Sequence, residues 1–137
     1  MIARQAGCVA MGGRGVLIEG AAGLGKSALA LALIDRGAVL VGDDSVMLEA
    51  RAGQLWASPH PATAGLIEVR NVGLLPMPTA CDVPVALVIR LSADAPRYVE
   101  EAPRVTVEGV DLPCLTLYPD TPVLALRVEM ALAHHGL

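Results

Sequence analysis

The sequence contains no phenylalanine, one tryptophan and two tyrosines in 137 residues. An interior of stacked rings is thereby excluded, and the core has to be built from Val, Leu, Ile and Ala. The shortage also removes the platforms on which proteins stack single-stranded nucleic acid. Ten Lys and Arg stand against fourteen Asp and Glu, a net charge of −4, with no basic run. A phosphate backbone demands a cationic stripe, so no nucleic-acid partner is expected. Cys8, Cys81 and Cys114 are odd in number, widely spaced and set among apolar residues. That pattern fits neither a disulfide framework nor a zinc site and predicts buried, reduced thiols. No run approaches the roughly 18 apolar residues of a membrane span. Met1 to Gln5 lacks the apolar core of a signal peptide. These absences predict a soluble, cytoplasmic protein with no membrane partner.

What is present is apolar residues at 54 % and charged residues at 18 %, a balance that favours a dense core over disorder. A chain of this length buries roughly two-thirds of its unfolded surface as one unit. No internal repeat, low-complexity tract or linker divides it, so 1–137 reads as a single domain. Apolar runs predict strands at Gly7–Met11, Val16–Ile18, Val39–Val41, Ser45–Ala50, Leu55–Trp56, Leu66–Arg70, Val85–Leu91, Val105–Val107 and Leu115–Leu117. Gly12-Gly13-Arg14-Gly15 reads as a hairpin turn, and Gly109-Val110-Asp111 as another turn. The proline-marked stretches 58–61, 76–84 and 92–103 read as loops. Helices are expected at Ala28–Arg36, stopped by Gly37, and at Val123–Ala133, opened by Asp120-Thr121-Pro122. His134 and His135 fall at the negative end of the second helix, where they read as a cap and not as ligands.

One stretch organises the rest: Gly20-Ala21-Ala22-Gly23-Leu24-Gly25-Lys26-Ser27, a Walker A phosphate loop of Gly, four residues, then Gly-Lys-Ser. Its setting, a short β-branched run before it and a run of helix formers after it, is the one the pattern needs. A strand turning into a helix through glycines leaves backbone N–H groups converging on one spot, at the positive end of the helix dipole. Glycine lets the backbone approach an anion closely. Lys26 can reach phosphate oxygens as a mobile point charge, and the Ser27 hydroxyl can coordinate the Mg²⁺ that accompanies a nucleotide.

Asp43 and Asp44 end the apolar run Val39-Leu40-Val41, one helix beyond the loop. A carboxylate there faces metal and terminal phosphate in nucleotide-binding proteins of this class. Alternation along a strand directs only one of the two at the γ-phosphate. Glu68 and Arg70 share a face of the next predicted strand, a spacing that suits the solvated side of a sheet as well as a site. Strands outnumber helices in this reading, so the class is α/β with a strand-rich mixed sheet and few helices. A phosphate-loop protein more often alternates the two.

Together, Gly20–Ser27, Leu33-Ile34-Asp35-Arg36-Gly37 with Val39–Asp44, and Ala64-Gly65-Leu66-Ile67-Glu68-Val69-Arg70 resemble the catalytic domain of HPr kinase/phosphorylase. That family shares its phosphate-loop core with phosphoenolpyruvate carboxykinase. The similarity runs to about Leu91, and the Glu68 stretch is its discriminating part. The chain resembles the short proteobacterial form, which begins at the catalytic domain. The resemblance implies a P-loop kinase using ATP and Mg²⁺ to phosphorylate a serine of HPr, the phosphocarrier of the phosphotransferase system. It implies that residues Gly20, Ala21, Ala22, Gly23, Leu24, Gly25, Lys26 and Ser27 hold nucleotide and that Lys26 activates its phosphates. Asp44 would accept the serine proton, with Asp43 beside it, and Ser27 and Glu68 would hold the metal. An arginine after the central strands steadies the phosphoryl group in this family. Arg97 is the nearest match, with Arg104 close behind. Relatives of the longer form assemble as hexamers, which suggests a homo-oligomer.

Two departures stand out. Counting back from Lys26 to the place of a family histidine lands on Gln5, a side chain that neither ionises nor shuttles a proton. Asn71 replaces a glycine after Glu-x-Arg, and asparagine tolerates left-handed backbone better than most residues. Gln5 predicts weak or absent phosphorylase activity. It also leaves open a nucleotide-binding regulatory module that holds HPr or another partner without efficient turnover. A small-molecule kinase is disfavoured by the many strands and by the lack of an arginine-rich lid.

Overall fold

A computed structural model describes all 137 residues. Eleven strands and two helices follow in the order β1 (Ile2–Arg4), β2 (Gly7–Met11), β3 (Arg14–Glu19), α1 (Lys26–Asp35), β4 (Val39–Gly42), β5 (Val46–Arg51), β6 (Gln54–Pro59), β7 (Leu66–Val69), β8 (Gly73–Pro76), β9 (Val83–Leu91), β10 (Arg104–Val107), β11 (Val110–Leu117) and α2 (Leu124–His135). Nine of the strands form one mixed sheet, with β1-β5-β6-β9-β3-β2-β4 along its main path. The expected strand-rich α/β architecture is what the chain adopts.

The sheet is organised around β9. Its first residues, Val83 and Pro84, pair antiparallel with β6, while Val88–Leu91 pair parallel with β11. Its other edge runs parallel to β3, bringing Glu19 opposite Arg90. Val85–Ile89 are buried without a break, as expected of a strand covered on both faces. Alternate residues face two cores. Val16, Ile18, Leu87, Ile89 and Leu115 pack on one side with Leu29, Ala30 and Leu33 of α1 and Val128 and Leu132 of α2. Cys8, Leu17, Val88 and Leu112 pack on the other with Leu48, Leu55 and Ala57. No aromatic ring enters either core.

Turn chemistry sets the registers. In the two-residue connections 12–13, 52–53 and 108–109, both residues have positive φ, the backbone that a tight type I′ hairpin requires. β11 therefore begins at Val110, inside the stretch expected to be turn. α1 ends in a Schellman closure: Gly37 N–H donates to Ile34 O and Ala38 N–H to Leu33 O, 3.0 Å each. β7 and β8 form a small sheet of their own, joined by the three residues 70–72 with Asn71 at φ 70°. The segment 92–103 is irregular, and its start is fixed by Ser92 N–H donating to Leu117 O. Cys81 departs from expectation. It is exposed in the connection leading into β9, whereas Cys8 and Cys114 are buried on strands. No helix is long and apolar enough to cross a membrane.

Candidate functional site

The phosphate loop leaves the end of β3 and closes on the first turn of α1. Gly25 stands at the helix N-cap with φ 90°, a left-handed conformation natural to glycine. Gly20 lies so near β9 that an added Cβ would sit 3.2 Å from Leu91 O. The helix begins with no capping side chain and no acidic residue in its first turn. Its leading N–H groups and positive dipole end are thus left for an anion from outside the chain.

A cleft of about 790 Å³ opens over this loop. Gly20, Ala21, Ala22, Gly23, Gly25, Lys26 and Ser27 line it from below, joined by Ala28 and Leu31 of α1. Asp43 and Asp44 enter from the end of β4, Glu68, Val69 and Arg70 from the β7–β8 hairpin, and Gln5 from the link between β1 and β2. Leu24 is the one loop residue outside the lining; its side chain packs toward the core that includes α1. Four segments separated in sequence thus converge on one concavity.

Within the cleft, Lys26 Nζ donates to Gly20 O at 2.6 Å and to Ala21 O at 3.4 Å, so the ammonium lies along the loop. Ser27 Oγ donates to Asp43 Oδ1 at 2.6 Å. The other Asp43 oxygen, Oδ2, accepts the backbone N–H of Glu68 at 2.8 Å. Asp44 is exposed and accepts no hydrogen bond. Glu68 and Arg70 face each other loosely, Oε1 to Nε 3.7 Å, and both are largely exposed. Just before the loop, Glu19 is 15 % exposed and is held between Arg4, at 2.6 Å, and Arg90, at 3.4 Å. This charge cluster fixes the end of β3 from which the loop departs.

The donor set suits a magnesium ion that arrives with phosphates. No group of three His, Cys, Asp or Glu side chains forms a closed cage. The Ser27 hydroxyl and the carboxylates of Asp44 and Glu68 line one cleft. Mg²⁺ is ordinarily held by one or two carboxylates and completed by substrate phosphate and water.

The structure brings Lys26, Ser27, Asp43, Asp44 and Glu68 together, and it does not bring in Arg97 or Arg104. Arg97 is exposed in the 92–103 segment and absent from the cleft lining, and Arg104 is paired with Asp111 at 3.2 Å on the β10–β11 hairpin. The arginine in the cleft is Arg70. The signal for it was its two-residue spacing from Glu68, which places both on one side of the hairpin. Ala28 and Leu31 carried no chemical signal and line the cleft through their place on the first turns of α1.

The description HPr Serine kinase C-terminal domain belongs to a family model that matches residues 2–82, more than half of the chain. This protein belongs to that family. Among curated relatives, the HPr kinase/phosphorylase of Clostridium tetani is 45 % identical over 67 residues, which are 49 % of this chain and 22 % of the relative. That of Streptococcus thermophilus is 47 % identical over 64 residues, 46 % of this chain and 21 % of the relative. The chain therefore spans about a fifth of the length of the curated relatives it matches. A solved structure, the Hpr(Ser) kinase/phosphatase from Coxiella burnetii, is similar with a TM-score of 0.85 at 26 % identity, covering 97 % of this chain and 95 % of that one. The likeness in fold thus extends beyond residue 82, through β9, β11 and α2.

Proposed function

We propose that this chain is a catalytic domain that transfers the γ-phosphoryl group of ATP, with Mg²⁺, to a serine hydroxyl of HPr. The observation that carries the reading is the convergence of the phosphate loop, Asp44 and Glu68 on one cleft. In the proposed reaction the serine oxygen forms a bond to the γ-phosphorus while the bond to the β–γ bridging oxygen breaks. The serine proton passes to the Asp44 carboxylate and ADP leaves. Asp44 suits this role because its oxygens are free, whereas both Asp43 oxygens already accept hydrogen bonds. Lys26, released from the loop carbonyls, follows the transferred group, and the loop amides neutralise the phosphates. Mg²⁺ would be held by Ser27 and Glu68 and would supply charge neutralisation. Arg70 is the cation on the far wall. Positioning and charge together supply the rate gain, as is general for phosphoryl transfer.

Radiolabelled ATP incubated with the chain and purified HPr tests this directly. Lys26→Ala and Asp44→Asn should each lower transfer by about 10²-fold or more while leaving the circular dichroism spectrum unchanged. Near-normal transfer by either variant removes the role assigned to it.

A second reading, a nucleotide-binding module that holds its partner without turnover, is favoured by Gln5. Its neutral amide lines the cleft where the resemblance implies a histidine. Under that reading the chain retains nucleotide and HPr remains unlabelled. Gln5→His separates the two, since it restores labelling only if a missing proton-transfer group is what limits turnover.

A further inference from the structure

The β7–β8 hairpin carries Glu68 and Arg70 but shares no ladder with the main sheet. Apolar packing and one polar contact hold it over the phosphate loop, with Val69 and Met77 partly buried against the same core as Ile67. Ile67, fully buried, inserts into the core that α1 covers. The Asp43 carboxylate accepts the Glu68 N–H. Of all the side-chain hydrogen bonds, this one alone joins residues 65–77 to the rest of the molecule. The same carboxylate accepts a hydrogen bond from the Ser27 hydroxyl on its other oxygen.

We infer that Asp43 is a positioning residue whose carboxylate ties the hairpin to the phosphate loop, so that Glu68 and Arg70 hold their places over the loop through Ser27. A carboxylate suits the two partners as they stand, because both donate and it offers an acceptor oxygen to each. Donating to a carboxylate also fixes the Ser27 hydroxyl, which leaves its lone pairs free to face the cleft. A ligand that draws on Ser27 thereby steadies the hairpin as well. The inference rests on the phosphate-loop reading for its ligand, but the tie itself is a property of the free protein.

Hydrogen exchange of the peptide spanning residues 64–77 tests it, on the whole chain, with and without Mg·ADP and without HPr. Without ligand, Asp43→Ala should speed exchange of this peptide on the order of tenfold, the scale of one lost charge-assisted hydrogen bond, while β3 and β9 stay unchanged. Asp43→Asn should restore much of the protection, since its amide oxygen can still accept from Glu68 while its NH₂ turns to Ser27. Mg·ADP should slow the hairpin peptide in the natural chain and not in Asp43→Ala, although residues 20–27 are protected in both. Hairpin exchange that is the same in Asp43→Ala and the natural chain overturns the inference, as does equal protection of the hairpin by Mg·ADP in both. If Mg·ADP protects no peptide in any form, the nucleotide reading falls, and the ligand-free comparison alone decides the tie.

Discussion

Cys8 sits on β2 with no exposed surface, and burial pushes its thiol up to about 12 from an ordinary 9.0. Desolvation dominates that shift; a backbone hydrogen bond at Val16 opposes it. Burial also raises the Cys114 thiol, with Arg90 lowering it and Glu19 adding to the rise. A raised thiol pKa means that the fold prefers the neutral form. Its contribution is fully present below pH 9 and is lost as pH climbs from about 9 toward 12, where the unfolded chain has already released the proton. Integrated over that window, the loss for Cys8 is on the order of 4 kcal/mol. Urea unfolding at stepped alkaline pH should show this slope, and Cys8→Ala should flatten most of it. A thiol reagent at pH 8 should titrate one cysteine in the native protein, Cys81, and three in denaturant. Cysteine spacing foretold the state of two thiols but not Cys81, because burial is decided by the partner strands and Cys81, just past the bridge of Thr79 to Leu40, pairs with no strand itself.

At the level of elements, the run from β3 through the loop and α1 to β4 was legible because local chemistry and tertiary role agree along it. A β-branched run, a glycine loop, helix formers and a stopping glycine each dictate what the fold then uses. The second wall of the cleft was half legible: Leu66–Val69 alternates as a strand should, but its partner β8 reads Gly-Leu-Leu-Pro between a left-handed asparagine and further prolines, a composition indistinguishable from a loop. β1 was missed because three residues, two of them exposed at the sheet edge, carry no periodicity. Arg97 lies outside the cleft lining for a related reason: nothing in an irregular segment says which way it folds back. The turn from β4 to β5 is the most demanding element at the site. A Cβ on Gly42 would collide with Ser45 O and Val46 Cγ1, so the chain doubles back tightly at the point where Asp43 and Asp44 emerge. Gly42→Ala should therefore cost about 1–3 kcal/mol in thermal or chemical unfolding. It should also weaken Mg·ATP binding, measured by calorimetry, because the aspartates shift with the turn. Unchanged stability and affinity would show that the turn has slack.

Taken whole, the molecule places its central parallel pairing between residues far apart in the chain, with Glu19 and Arg90 in register across β3 and β9. Such topology closes a large loop of chain before the contact gains anything, and folding is correspondingly slow. The loop-and-helix unit is local and can take shape early, yet Gly20 has no wall to rest against until Leu91 arrives. Affinity for a triphosphate should thus be among the last properties a refolding chain acquires. Stopped-flow refolding followed with a fluorescent nucleotide should lag behind far-ultraviolet circular dichroism, and a nascent chain that has not yet added its ninth strand would have the binding sequence without the grip.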